Sequence, residues 1–381
     1  MNTTQQACLN TRDQQLNWMD MTNHFFQLTR IWILFTALYS FSVWATAQEV
    51  AQPVNWPWHA VSIGFPGGSA ADIKRYKARL NINAVRLDIV PRWYALRQGI
   101  SGDQAFNEAL VWADEMLDTC AAMGITAVIH MDHFPMDPAD LTENSSPSFW
   151  SNQAELDKIL SVAGQLAARY GKRGKELAAY HVISEPLIYD GGLALSPPQL
   201  PELQRRIIAE IRKADKDRWI VVSPGPGGQP QTYAQYVAPI EHNLIWGTHM
   251  YQPHKFTHQG IGGRPLGVEY PGLADGAYWD KNALRGLMEP LHLFQQSHAA
   301  PVFIGEFSAV LWAKGDDQYL TDLVSIFNEY GWGWDYFSAT DWHGWNPDYD
   351  EFYAPDVPES AWRSHFVGDK SKRWATLRKL Y

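Results

Sequence analysis

The chain has 381 residues, a formal net charge of −10 and 46% hydrophobic residues, so it can bury a full core without staples. An acidic balance disfavours nucleic-acid binding, which needs a basic face. Of the two cysteines, Cys8 falls in a leader and Cys120 in a predicted helix, so no internal disulfide is expected.

Arg30, the uncharged apolar run Ile31 to Trp44, and Ala45-Thr46-Ala47 have the order of a secretory signal: a base, a short apolar core and a small-x-small cleavage site. The apolar core is short for a membrane span. The segment ahead of it carries Asp13 and Asp20, and a start at Met21 gives a cleaner signal. The expected division is therefore a leader over 1–47 and one domain over 48–381. The mature protein is expected to be secreted or periplasmic, free of the membrane after cleavage, and monomeric. The 18 tryptophans exceed what such a core usually holds, and part of them are expected to be exposed as flat faces for sugar rings.

Strand and helix patterns then alternate. Trp58 to Phe65 is the first strand, and Ser69 caps a helix running to about Leu80. Ala84 to Val90 is the second strand. Asp103 to Met123 is a helix with Phe106, Leu110, Val111, Met116 and Leu117 on one face and Gly124 as its stop. Ile125 to Asp132 is the third strand, Ser151 to Tyr170 a helix, and Leu177 to Ser184 the fourth strand. Pro198 to Ala214 is a helix and Trp219 to Ser223 the fifth strand. A Gly/Pro loop, Pro224 to Pro230, leads towards the sixth strand, Leu244 to Tyr251. A long loop with Tyr270 and Tyr278 follows to about Asp280; long loops in compact domains are usually functional, and this one is expected to shape a cleft. Asn282 to His298 is a helix, Pro301 to Phe307 the seventh strand, Asp316 to Tyr330 a helix, Gly331 to Ala339 the eighth strand, and Ser364 to Leu380 the last helix.

Eight such alternations imply an α/β fold of the (β/α)8 TIM-barrel type, in a single domain. A doubly wound sheet is the alternative, but Gly64-Phe-Pro-Gly-Gly68 lacks the spacing of a phosphate-binding loop.

In such a barrel the site lies at the carboxyl ends of the strands. Those ends carry Arg86 and Asp88; His130, Asp132 and His133; Ser184 and Glu185; His249 and Tyr251; Glu306; and Phe337, followed by Asp341, Trp342, His343 and Trp345. Two glutamates, each ending an apolar run, are what a retaining glycosidase requires. Arg86 suits one of them, since a guanidinium keeps a neighbouring carboxylate ionised. The other must keep its proton, which burial or the first charge favours. His130-Met-Asp132-His133 also admits a metal reading, but strand alternation parts His133 from the other two and no further ligands are evident. No cofactor or metal is expected.

Asn83-Ala-Val-Arg86, Val128 to His133, Ile183-Ser-Glu-Pro186, His249-Met-Tyr251 and Ile304-Gly-Glu-Phe307 occur in order at barrel spacing. Together they resemble glycoside hydrolase family 5, a retaining family with glutamates after strands four and seven. The resemblance implies Glu185 as acid/base and Glu306 as nucleophile, with Arg86 and Tyr251 positioning Glu306. It implies that His133 and His249 line the substrate cleft, and that a sugar platform comes from Phe337, Trp342 or Trp345. The family normally has asparagine before the acid/base, binding the sugar 2-hydroxyl; Ser184 stands there. The implied substrate is a β-glucan polysaccharide or oligosaccharide, cleaved in the manner of an endoglucanase. β-Mannanase and β-1,3-glucanase action are the alternatives in the same fold, and a carbohydrate-binding pseudoenzyme is the alternative of another class, motivated by Ser184.

Overall fold

A computed structural model describes residues 51–131, 134–135, 145–351 and 359–381. The leader, with its apolar run, lies outside the described residues, as do Asp132 and His133. Eight parallel strands form a closed barrel in sequential order: β1 (His59–Gly64), β2 (Ala84–Ile89), β3 (Thr126–Met131), β4 (Leu177–His181), β5 (Trp219–Val222), β6 (Leu244–Met250), β7 (Val302–Phe307) and β8 (Gly333–Tyr336). The expected TIM barrel is present. No helix among the described residues is long and apolar enough to cross a membrane.

The principal helices are α1 (Ala70–Leu80), α2 (Pro91–Gln98), α3 (Gly102–Met123), α4 (Pro147–Ser151), α5 (Gln153–Tyr170), α6 (Leu200–Ala214), α7 (Lys281–His298), α8 (Asp316–Glu329) and α9 (Lys372–Leu380). Local signals set their ends. Ser69 and Asp72 make a reciprocal capping box at α1, and Ser101 caps α3, which stops at Gly124 in the left-handed region.

Several expectations need correction. Val111 does not belong to the buried face of α3; it is exposed, while Ala105, Ala109 and Ala113 complete that face. The helix expected over 364–380 is only α9, because Gly368 takes a positive φ and splits the segment into two 3-10 turns before it. Tyr270 does not shape a cleft: it is buried and its hydroxyl bonds to Asp322. Two small hairpins, 188–195 and 272–279, were not predicted, nor was α2, whose apolar residues follow no single face. Of the tryptophans from Trp56 onward, only Trp93 is exposed. The aromatic excess is therefore mostly core.

Strand alternation divides the barrel wall. Outward residues such as Val61, Val85, Leu87 and Ile129 pack under the helices. Inward, Ala60, Ala84, Val128, Ala179, Val221, Ile245 and Phe303 form an apolar plug closed by Trp58. Two residues further along each strand the interior turns polar: Ser62, Arg86, His130, His181, Ser223 and Asp335 are all buried. Glycines Gly247 and Gly305 occupy this level on β6 and β7, where a Cβ would press on Val221 and Ser223 and on Arg86 with His249.

Candidate active site

Strict alternation would turn Glu306 outwards with Ile304. The β7–β6 register breaks between them: Ile304 pairs with Thr248, but Glu306 pairs with His249. This bulge at Gly305 brings the carboxylate to the barrel mouth. There Glu306 accepts a hydrogen bond from Arg86 Nη2 at 2.7 Å and from the Tyr251 hydroxyl at 2.9 Å. Arg86 is wholly buried; its Nη1 donates to the Gly305 carbonyl and its Nε to Asp88 Oδ1 at 2.7 Å. Burial opposes its charge, but Asp88 and Glu306 outweigh that and hold it firmly protonated. Burial first, and then Glu306 and Glu185, push the Tyr251 phenol well above its ordinary value, so it remains a donor.

Glu185 follows the end of β4 in an irregular stretch fixed by the loop after β5. Gly227 N–H donates to the Pro186 carbonyl, and the Gly228 carbonyl accepts from the backbone N–H of His249 and the hydroxyl of Thr248. Gly228 has φ +60°, and a Cβ there would lie 2.5 Å from the Ser184 carbonyl oxygen, so the loop requires glycine at this point. Glu185 is about half exposed, and its Oε1 lies 2.7 Å from His249 Nδ1, which is itself 3.5 Å from Glu306 Oε2. One oxygen from each glutamate and the imidazole nitrogen all lie within 4.8 Å of one another. Burial pushes the His249 imidazole down, but Glu306 and then Glu185 more than offset this and leave it raised.

The structure brings together Glu185, Glu306, Arg86, His249 and Tyr251. Phe337 is half-buried beside them, its ring 5.4 Å from the Arg86 guanidinium, and Trp345 lies 5.6 Å from Phe337 and 6.0 Å from Tyr251. Trp342 touches Trp345 and lines a cavity of about 980 Å³ at the ends of β1, β2 and β8, with Trp93, Tyr94, Asp341 and Trp362. Ser184 is buried and lines, with Glu185, Trp150 and Tyr189, a cavity of about 270 Å³ on the β3–β4 side. His133 lies outside the described residues. His130 faces the barrel interior, its Nδ1 2.7 Å from Asp88 Oδ1, and is not offered to a metal in the cleft.

Four residues carry more weight than the sequence suggested. Asp335 is fully buried opposite Arg86 and accepts the Ser62 hydroxyl; burial raises its carboxyl well above the ordinary range. Trp93 and Tyr94 belong to the unpredicted α2. Asp341 lies against Gly64, where any Cβ would collide with it, and burial followed by the Asp88 charge pushes its carboxyl up to about 7. Asp341 is nonetheless open to solvent on its cavity side, which tempers the burial effect. The one available signal for Asp335 was its place two residues before Phe337 in an aromatic strand.

The family model "Cellulase (glycosyl hydrolase family 5)" matches residues 46–342. Endoglucanase C of Acetivibrio thermocellus is 20% identical over 260 residues, covering 60% of this chain and 73% of that protein. Endoglucanase H of the same organism is 20% identical over 211 residues, or 55% of this chain, which spans only 20% of that longer protein. Among solved structures, Thermotoga maritima Cel5A in a mutant form with cellobiose superposes with a TM-score of 0.63 at 18% identity, covering 85% of this chain and 96% of that one. The cellulose synthase subunit Z of Clostridioides difficile gives 0.60 at 18% identity, covering 76% and 93%. With a family match over most of its length and the barrel that such relatives share, the chain belongs to glycosyl hydrolase family 5 and is a glycoside hydrolase.

Proposed function

We propose that this protein is a secreted β-glucan hydrolase of endoglucanase type that retains anomeric configuration, with Glu306 as nucleophile and Glu185 as acid/base. The observation that carries the reading is the asymmetry of two close carboxylates. Their oxygens lie within 4.8 Å, the short spacing of retaining rather than inverting enzymes. Arg86 and Tyr251 both hold Glu306, whereas Glu185 has His249 and solvent.

The chemistry follows from those contacts. Arg86 holds one oxygen of Glu306 and Tyr251 aims the other, so Glu306 attacks the anomeric carbon. Glu185 gives its proton to the departing glycosidic oxygen, and a glycosyl ester forms on Glu306. With the leaving group gone, Glu185 takes a proton from water, which hydrolyses the ester with a second inversion. Phe337 and Trp345 supply the apolar floor. The cavity with Trp93 and Trp342 suits the chain on the non-leaving side. β-Glucan is preferred because the curated relatives are endoglucanases. Export rests on the leader alone.

The test is reducing-sugar release from a panel of β-glucans and mannans, with and without a chelator. Glu306→Ala is expected to lower kcat at least about 10³-fold whether or not chelator is present. Glu185→Ala should be far less impaired on aryl glycosides with good leaving groups, and azide should rescue it as a β-glycosyl azide. An inactive wild type that still binds glycan would instead favour a binding protein with Ser184 as its defect.

A further inference from the structure

The barrel interior holds more charge than the two-carboxylate reaction uses. Asp88 and His130 are both buried, and their hydrogen bonds run to Arg86 and to each other rather than to Glu185 or Glu306. Asp88 Oδ1 lies 2.7 Å from Arg86 Nε and 2.7 Å from His130 Nδ1. The carboxylate can only accept, so His130 carries its proton on Nδ1 and donates. Its Nε2 has no hydrogen-bond partner among the described residues.

A guanidinium is a planar fork, and each edge of this one is taken. Nε faces Asp88, Nη1 faces the Gly305 carbonyl, and Nη2 faces Glu306 Oε1. Without the Nε contact the fork could rotate about its stem and carry Nη2 away from Glu306. Asp335, 3.8 Å from Nε, is no substitute, since at that distance it makes no hydrogen bond to the fork, and burial raises its carboxyl well above the ordinary range. Asp88 itself is ionised: burial opposes this, but Arg86 and His130 hold it below its ordinary value. One positive charge is thus divided between two carboxylates, only one of which meets the cleft.

We propose that Asp88 and His130 are a positioning pair for the nucleophile, with Asp88 fixing the Arg86 fork and sharing its charge, and His130 fixing Asp88. The proposal rests on Glu306 being the nucleophile. Sharing matters because a carboxylate gripped by an undivided guanidinium is a weaker base and a weaker nucleophile. The other titratable groups facing this assembly are His181, whose ring lies 5.1 Å from that of His130, and His249, Tyr251, Asp335 and Asp341, with Glu185 across the cleft; none changes in the variants below.

The experiment uses full-length Asp88→Asn, whose amide oxygen can still accept from Arg86 Nε so that only the charge is removed; should it not fold, the two His130 variants below carry the test. Removing the negative charge leaves Arg86 wholly to Glu306, so ionised Glu306 persists to lower pH. The acid limb of kcat/KM should move down by about half a unit to one unit, and kcat should fall about tenfold with KM within threefold. His130→Ala should lower kcat about tenfold, and His130→Asn, whose amide can donate from the place of Nδ1, should recover most of that loss. Carboxyl ¹³C titration of labelled Glu306, assigned by loss of its signal in Glu306→Gln, reads the same downward shift without turnover. Failure of the parent reading, seen as an inactive wild type, is thereby separate from failure of this one. An unmoved Glu306 titration in a folded neutral variant overturns the proposal. So does an activity loss with an unmoved acid limb, or a His130→Ala protein as fast as wild type.

Discussion

At the scale of single residues, the barrel mouth separates its acids by surroundings. Arg86 and His130 hold Asp88 below the ordinary carboxylate range against its burial, burial raises Asp335 well above that range, and Asp341 is pushed up to about 7. An acid whose folded-state value is raised burdens the native state once the unfolded chain has given up its proton. For Asp341 the burden begins above about pH 4, grows through about pH 7 and is then complete. Asp341→Asn should therefore gain melting temperature relative to wild type as pH rises from 4 to 8, modestly because the group meets solvent; a pH-independent difference would refute the assignment. Arg86, His249 and Tyr251 were legible in the sequence because His249 and Tyr251 close an apolar strand and Arg86 interrupts one. Glu306 was legible as a residue but not as a geometry. Alternation points it away from the site, and only the register break at Gly305 reverses that. Gly305→Ala would place a Cβ 3.2 Å from His249 Nε2 and 3.3 Å from Arg86 Nη1. It should lower kcat about tenfold or more while costing only about 1–3 kcal/mol of stability, as strained small-to-large changes do; chemical denaturation beside kinetics checks both.

Among the elements, those with strong local signals were found within a few residues of their ends. The elements that were missed take their stability from elsewhere. Helix α2 begins at Pro91, but has no side-chain cap bond and no apolar stripe to announce it. Each hairpin is a pair of three-residue strands, too short for a period-two pattern to register. The C-terminal helix α9 is the element most tied to others. Its Arg373 is buried and donates to Asp316, the Tyr336 hydroxyl and the Ala309 carbonyl, joining α8, β8 and the segment after β7. Arg373→Met leaves Asp316 buried without its main partner and should cost about 3–5 kcal/mol, read as a lower midpoint in urea with the slope unchanged.

For the whole molecule, the sequence could announce a barrel because each strand–helix unit repeats the same two periods. It could not announce how the interior is divided. The lower half is filled by Ala, Val, Ile and Phe side chains, which any packed barrel needs. The upper half holds a polar layer whose members satisfy one another only after the barrel closes. The seam between first and last strands is braced by Tyr381: its hydroxyl donates to the Ala60 carbonyl on β1, and its ring packs on Trp334 of β8.

The burial of the aromatic complement also makes the protein an optical instrument. Among the described tryptophans Trp93 alone stands open to solvent, at 49%, and it lines the large cavity beside β1 and β8. Iodide added to the resting protein should quench chiefly this one indole, leaving most of the emission untouched. A glycan seated in that cavity should shield it, so the quenchable fraction reports occupancy of one side of the cleft, in the Glu306→Ala protein as well as in an active one.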